Sequence, residues 1–246
     1  MLLAIDIGNT NISCGIFKGS KLIKKFDIPT RASFKKHLAK RIKEPFKISA
    51  SIICSVVPKQ TKIVFQDIVS LTGKTPYILG KNLIVPIKNL YHKPKQVGQD
   101  RLVNAFAASF FYRPPLIVID SGTAITFDVI SRNKAYLGGL IVPGMGISLA
   151  ALKEKTALLP QVKLDQPQSL IGTDTKKSMI SGVVLGTADL CKGLTARLKQ
   201  ELGKNVQVVG TGGNICMIKK YSRMHMKVNS DLTLKGINLI YRDEIK

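Results

Sequence analysis

The sequence predicts an α/β protein made of two related domains with a cleft between them, and three observations carry that expectation. Asp6-x-Gly8-Asn9-Thr10 and Asp120-x-Gly122-Thr123 each follow a short apolar strand and precede another, 114 residues apart. A second pair of apolar runs, Ser51 to Val57 and Val206 to Val209, each leads into a loop and then a helical pattern. Arg113-Pro114-Pro115 ends the helix begun near Leu102, because proline lacks an N–H and disfavours helix in the residue before it. This break divides the chain into domains of residues 1–114 and 115–246.

Met1 to Ile5 and Asn11 to Phe17 flank a Gly-Asn turn and read as a β-hairpin, which Ile117 to Ile119 and Ile125 to Ile130 repeat. The second strand pair is more widely spaced, so the second half carries an insertion. It is expected in the Gly138 to Ser181 region, where Pro143-Gly144 and Gly146 punctuate the chain before a helical stretch from about Ile147 to Lys155. Val208-Val209-Gly210-Thr211-Gly212-Gly213-Asn214 is a strand end feeding a glycine-rich turn, with a helix from near Asn214. It reads either as a shelf for a planar ligand or as a turn that needs φ > 0. Gly73-Lys74-Thr75 has only the tail of a phosphate-binding loop, since Ile68 stands where the required first glycine would be; a surface turn is expected.

With 246 residues and 45% hydrophobic content the chain can bury a substantial core. No apolar stretch approaches the roughly 18 to 20 residues that span a bilayer, Asp6 interrupts the N-terminal run, and a cytoplasmic protein without membrane association is expected. Cys14, Cys54, Cys191 and Cys216 have no zinc-site or disulfide spacing and read as reduced, mostly buried thiols. The formal charge of +23 favours small anionic ligands. Because the lysines are dispersed and no aromatic-basic motif accompanies them, a nucleic-acid partner is disfavoured.

Three carboxylates carry the chemistry. Asp6 ends the first strand before a turn whose backbone N–H groups and Asn or Thr side chains suit a phosphate, and it could hold a hydrated Mg²⁺ bridging phosphates. Asp120 and Thr123 repeat that element and could meet a cation and a phosphate oxygen. In Gly98-Gln99-Asp100-Arg101 a carboxylate and a guanidinium stand side by side after a glycine. The pair could take a proton from an alcohol and hold an anion in one pocket. The simpler role for Asp100 is a helix N-cap, in which case the helix dipole would lower its pKa. These residues together argue for an ATP-using phosphotransferase.

The ordered set Asp6-x-Gly8-Asn9-Thr10, Gly98-x-Asp100-Arg101, Asp120-x-Gly122-Thr123-Ala124, Gly138-Gly139 with Pro143-Gly144, Gly172-x-x-Thr175 and Thr211-Gly212-Gly213 resembles the type III pantothenate kinases, from Asp6 to about Gly236. The resemblance implies two duplicated ribonuclease-H-like domains of the actin-like ATPase kind, a homodimer, and ATP-dependent phosphorylation of pantothenate, the first step of coenzyme A synthesis. It also implies a role for each matching position. Asp100 would be the catalytic base, and Tyr91, Gly98, Gln99, Asp100, Arg101 and Thr175 would meet pantothenate, Thr175 from the dimer partner. Asp6, Ile7, Gly8, Asn9, Thr10, Asn11, Ile12, Ser13 and Thr123 would bind ATP, with Asp6 on Mg²⁺ through water. Asp120 would help hold K⁺ or NH₄⁺. Gln99 departs from the alanine of many relatives. The alternative from another class is a non-catalytic regulatory or nucleic-acid-binding relative of the same fold, against which all three retained aspartates count.

Overall fold

LLAIDI at Leu2–Ile7 is apolar almost throughout and forms β1, a strand covered on both faces, as expected at the centre of a sheet with parallel neighbours. In the computed structural model, which describes residues 1–42, 47–203 and 205–245, the chain folds into two compact units. In the first, β1 pairs antiparallel with β2 (Asn11–Lys18), which pairs antiparallel with β3 (Lys21–Pro29); on its other side β1 runs parallel to β4 (Ala50–Ser55) and β4 to β5 (Tyr77–Ile78). The edge strand β3 displays Lys21, Lys24 and Lys25, charges that discourage pairing with another chain. Helices α1 (Phe34–Arg41) and α2 (Pro58–Thr72) place Phe34, Leu38, Val64 and Ile68 on a core with Leu3, Ile5, Ile7, Ile12 and Ile53. Pro58 opens α2 where no N–H is needed, and Gly73 closes it at φ +68, so Gly73-Lys74-Thr75 is a helix end.

The second unit repeats the plan. Strands β6 (Leu116–Ser121), β7 (Ala124–Ile130) and β8 (Tyr136–Pro143) form an antiparallel meander, and β9 (Gln207–Thr211) and β10 (Lys227–Val228) extend it in parallel. The order β10-β9-β6-β7-β8 is that of the first sheet, β3-β2-β1-β4-β5, read from the other edge. A shift of 114 residues carries β1 onto β6 residue for residue, which confirms the duplication read from the Asp-x-Gly turns. The inserted stretch contains α4 (Met145–Glu154) and α5 (Thr175–Leu202), a 28-residue helix capped by Asp174, whose carboxylate accepts the Lys177 N–H at 2.8 Å. Ile117, Ile119, Phe127, Met145, Leu149, Val184 and Val208 share its core with Ile215 and Ile218 of α6 (Ile215–Ser222).

The units do not divide where the sequence was expected to divide. They comprise Met1–Phe110 with Asp231–Lys246, and Phe111–Ser230. The last helix, α7 (Leu232–Glu244), belongs with the first unit because it packs on β1, β2 and β4, and it approaches α3 (Gln99–Phe111) at close range. A Cβ on Gly236 would lie 2.7 Å from Val103 Cγ1 and 2.9 Å from the Val103 carbonyl oxygen, so glycine allows the approach. The Thr233 hydroxyl donates to Asn104 Oδ1 at 2.8 Å, and Lys25 pairs with Asp231 at 2.8 Å. No described helix is long and apolar enough to cross a membrane.

Candidate active site

Asp6 is the penultimate residue of β1, opposite Ser13 on β2 and Cys54 on β4. The turn that follows is held by the Gly8 N–H donating to the Asn11 carbonyl at 3.0 Å. Thr30 ties it down, through its hydroxyl to the Gly8 carbonyl at 2.8 Å and its N–H to the Thr10 carbonyl at 2.9 Å. Asn9, Thr10 and Asn11 are exposed at its tip. Ile7 and Ile12 are buried in the core and can offer a ligand only backbone groups. Ser13 donates to Asp27 Oδ1 at 2.6 Å.

Asp100 lies in the first turn of α3, which starts at Gln99, earlier than the sequence suggested. A Cβ on Gly98 would collide with Asp100 Oδ1, so glycine lets the carboxylate fold back against the turn, where it accepts the Arg101 N–H at 2.8 Å. The lowered pKa that follows from an N-cap role is not what this setting produces. Withdrawal of the carboxyl from water raises its pKa, and the Arg101 N–H and guanidinium offset this only in part. A carboxylate with a raised pKa is a better proton acceptor near neutral pH. Arg101 is 8% exposed. The Gln99 side chain lies on the backbone of Gly80, where a Cβ would come within 2.7 Å of Gln99 Cδ; this packing, at φ +78, explains both residues. Tyr91 is half-buried, its N–H donating to Asn89 Oδ1 at 3.0 Å.

The link between Asp6 and Asp100 is Cys54, one of the thiols expected to be reduced and buried. It is fully buried, in register with Asp6, and close enough to both carboxylates that each adds to the effect of burial in pushing its thiol pKa up. Its signal is register: only the parallel pairing of β1 with β4 brings position 54 beside position 6.

In the second unit Asp120 is opposite Thr126 on β7 and Thr211 on β9. Gly212, at φ +88, is set so that a Cβ there would collide with Asp120 Oδ1 and come within 2.6 Å of the Ser121 carbonyl oxygen. The glycine-rich turn thus needs φ > 0 at Gly212, and the missing side chain also clears the carboxylate. Gly144 clears the Gly122 and Thr123 carbonyls in the same way, and its N–H donates to Thr123 at 3.1 Å. Gly144 therefore does more than end a strand. Thr123 is exposed, as is Thr175 at the start of α5. A cavity of about 260 Å³ opens beside the turn, lined by Gln166, Gly213, Asn214, Cys216, Met217 and Lys220. The structure thus gathers Asp6, Cys54, Gly98 and Asp100 in the first unit and Asp120, Gly122, Gly144 and Gly212 in the second. Among the described residues no three His, Cys, Asp or Glu side chains form a metal cage.

Residues 2–197 match the family described as type III pantothenate kinase. The type III pantothenate kinase of Finegoldia magna is 38% identical over 252 residues, covering 98% of this chain and 96% of the relative. That of Dehalococcoides mccartyi (strain 195) is 36% identical over 250 residues, covering 98% and 97%. Among solved structures, the inorganic polyphosphate/ATP-glucomannokinase from Arthrobacter sp. strain KM superposes with a TM-score of 0.50 at 15% identity, covering 99% of both chains, a likeness of fold. The two α/β domains of the actin-like ATPase kind expected from the sequence are therefore the architecture found, and the chain belongs to the type III pantothenate kinase family.

Proposed function

We propose that the protein transfers the γ-phosphoryl group of ATP to the primary hydroxyl of pantothenate. The observation that carries this reading is Asp100, a half-buried carboxylate with a raised pKa beside the Arg101 guanidinium. The hydroxyl oxygen forms a bond to the γ-phosphorus, the bond from that phosphorus to the β,γ-bridging oxygen breaks, and the hydroxyl proton passes to Asp100. In such a loose transition state, orientation of the hydroxyl counts as much as basicity. Tyr91, Gly98, Gln99 and Arg101 surround pantothenate, Arg101 offering its forked donors to an anion in that pocket. The turn from Asp6 to Ser13, with Thr123, binds ATP, and the cavity beside Gly213 suits its base.

Mg²⁺ arriving with ATP supplies charge neutralisation at the phosphates. One strand-end carboxylate, Asp6, is the usual protein share of such a site. We assign K⁺ or NH₄⁺ to Asp120, whose carboxylate, with the nearby Ser121 carbonyl oxygen, offers the oxygen donors such a cation takes. We further propose a homodimer in the cytoplasm. Leu158, Leu170 and Ile171, 93%, 76% and 77% exposed, stand in the segment just before Thr175, and their burial by a second copy would favour Thr175 of the partner subunit reaching pantothenate. Free cysteines fit a reducing compartment. The regulatory or nucleic-acid reading is not favoured, since the full-length relatives are named kinases.

A coupled assay tests the proposal. Pantothenate, ATP and Mg²⁺ should yield ADP and phosphopantothenate, faster in K⁺ or NH₄⁺ than in Na⁺; absence of turnover in all three would end the kinase reading.

A further inference from the structure

Among the described residues of the first unit, Cys54 is a buried thiol beside the proposed machinery that the proposed chemistry leaves without a task. It stands on β4 in register with Asp6, which places the buried thiol beside the Asp6 carboxylate. Two residues on, Val56 lies 3.5 Å from where a Gly98 Cβ would be, so the end of β4 underlies both the Asp6 strand end and the Gly98 to Asp100 turn. The second unit gives an independent observation. The residue in the same register opposite Asp120 is Thr211, another small, buried side chain that carries a donor. Each half of the duplication therefore places an S–H or O–H beside its strand-end aspartate.

We infer that Cys54 is a positioning residue for Asp6: its thiol hydrogen is donated to the Asp6 carboxylate and fixes the rotamer in which that carboxylate meets the Mg²⁺ of Mg·ATP. An ionised carboxylate can only accept, so a buried thiol facing it serves as the donor. The role rests on the proposed nucleotide site, not on pantothenate as acceptor.

The test compares Cys54→Ala, Cys54→Ser and Cys54→Thr in the full-length protein. Mg·ATP binding is followed by calorimetry without pantothenate, KM for each substrate by the coupled assay, and folding by thermal denaturation. A lost hydrogen bond to a charged group should weaken Mg·ATP binding about tenfold in Cys54→Ala. KM for pantothenate should stay within about twofold, and Cys54→Ser or Cys54→Thr, which restore a donor, should recover most of the loss. A residue that served only packing would give the opposite order, because a hydroxyl in an apolar setting costs more than a methyl. Alanine binding Mg·ATP as well as or better than serine and threonine overturns the inference. If Cys54→Ala does not fold, weakening of Mg·ATP binding in both the serine and threonine variants as large as that expected for alanine overturns it too. A wild-type enzyme that binds Mg·ATP but leaves pantothenate untouched would remove the substrate assignment and leave this role standing.

Discussion

The two units share a sheet order and a strand-end aspartate, yet they surround that aspartate differently. Beside Asp6 stands Cys54, followed on β4 by Ser55, and through the buried thiol Asp100. Beside Asp120 stand Thr211 and, where the first unit has Ser55, the side-chain-free Gly212. Ser55 is occupied in structure, accepting the Val57 N–H at 3.0 Å and the Thr61 hydroxyl at 2.7 Å. On the proposed function the two units share a scaffold and differ at single positions: the first carries a proton acceptor, Asp100, and the second a cation site beside Asp120.

The comparison breaks most sharply at Asp100. Asp100→Asn should lower kcat by about a thousandfold, the scale of general-base catalysis, while calorimetry finds ATP binding intact. Equal loss of ATP binding would make Asp100 a structural or metal-binding residue. Next comes Gly212→Ala, which places a Cβ at φ +88 against Asp120 and the Ser121 carbonyl. It should cost on the order of 1 to 3 kcal/mol in thermal unfolding and remove the advantage of K⁺ over Na⁺. If K⁺ still accelerates that variant as it does the wild type, the cation site lies elsewhere.

A smaller effect follows from the raised pKa of Asp100. Activity should fall as pH drops through that raised value, above the ordinary carboxylate range, because the base becomes protonated. The sign for stability is the reverse. The folded state holds this proton more tightly than the unfolded chain, so ionised Asp100 is a burden at neutral pH, and stability rises as pH falls from the raised value toward the ordinary one. Asp100→Asn should therefore raise Tm at pH 7 by about 2 to 4 °C, a gain that shrinks in acid. A lower Tm would mean that the carboxylate is well satisfied in the fold. The smallest effect belongs to Gln99. In the fold, Gln99→Ala removes packing on Gly80 and should change stability by about 0.5 kcal/mol or less in denaturant melts. A loss of several kcal/mol there would show that the contact carries the loop.

Local pattern made much of this legible. Alternating apolar runs around Gly8 and Gly122 exposed both hairpins and their repeat, since side-chain period and turn chemistry are properties of neighbouring residues. The set of glycines and aspartates pointed to the family. What escaped depends on distant partners. That Cys54 meets Asp6 needs the parallel pairing of two strands 48 positions apart. That α7 joins the first unit rests on its packing against β1, β2 and β4 and on Gly236 meeting Val103, which no local pattern announces. The raised pKa of Asp100 reverses the expectation from a helix N-terminus because burial, a tertiary quantity, outweighs the local N–H donor.

The division of labour between the units is tested most directly by calorimetric titration of ATP into Asp100→Asn and Asp120→Asn side by side, in K⁺ and in Na⁺. Asp100→Asn should bind ATP as the wild type does and keep its preference for K⁺, whereas Asp120→Asn should bind ATP equally in the two salts. Loss of the K⁺ preference in both variants, or in neither, would contradict the account.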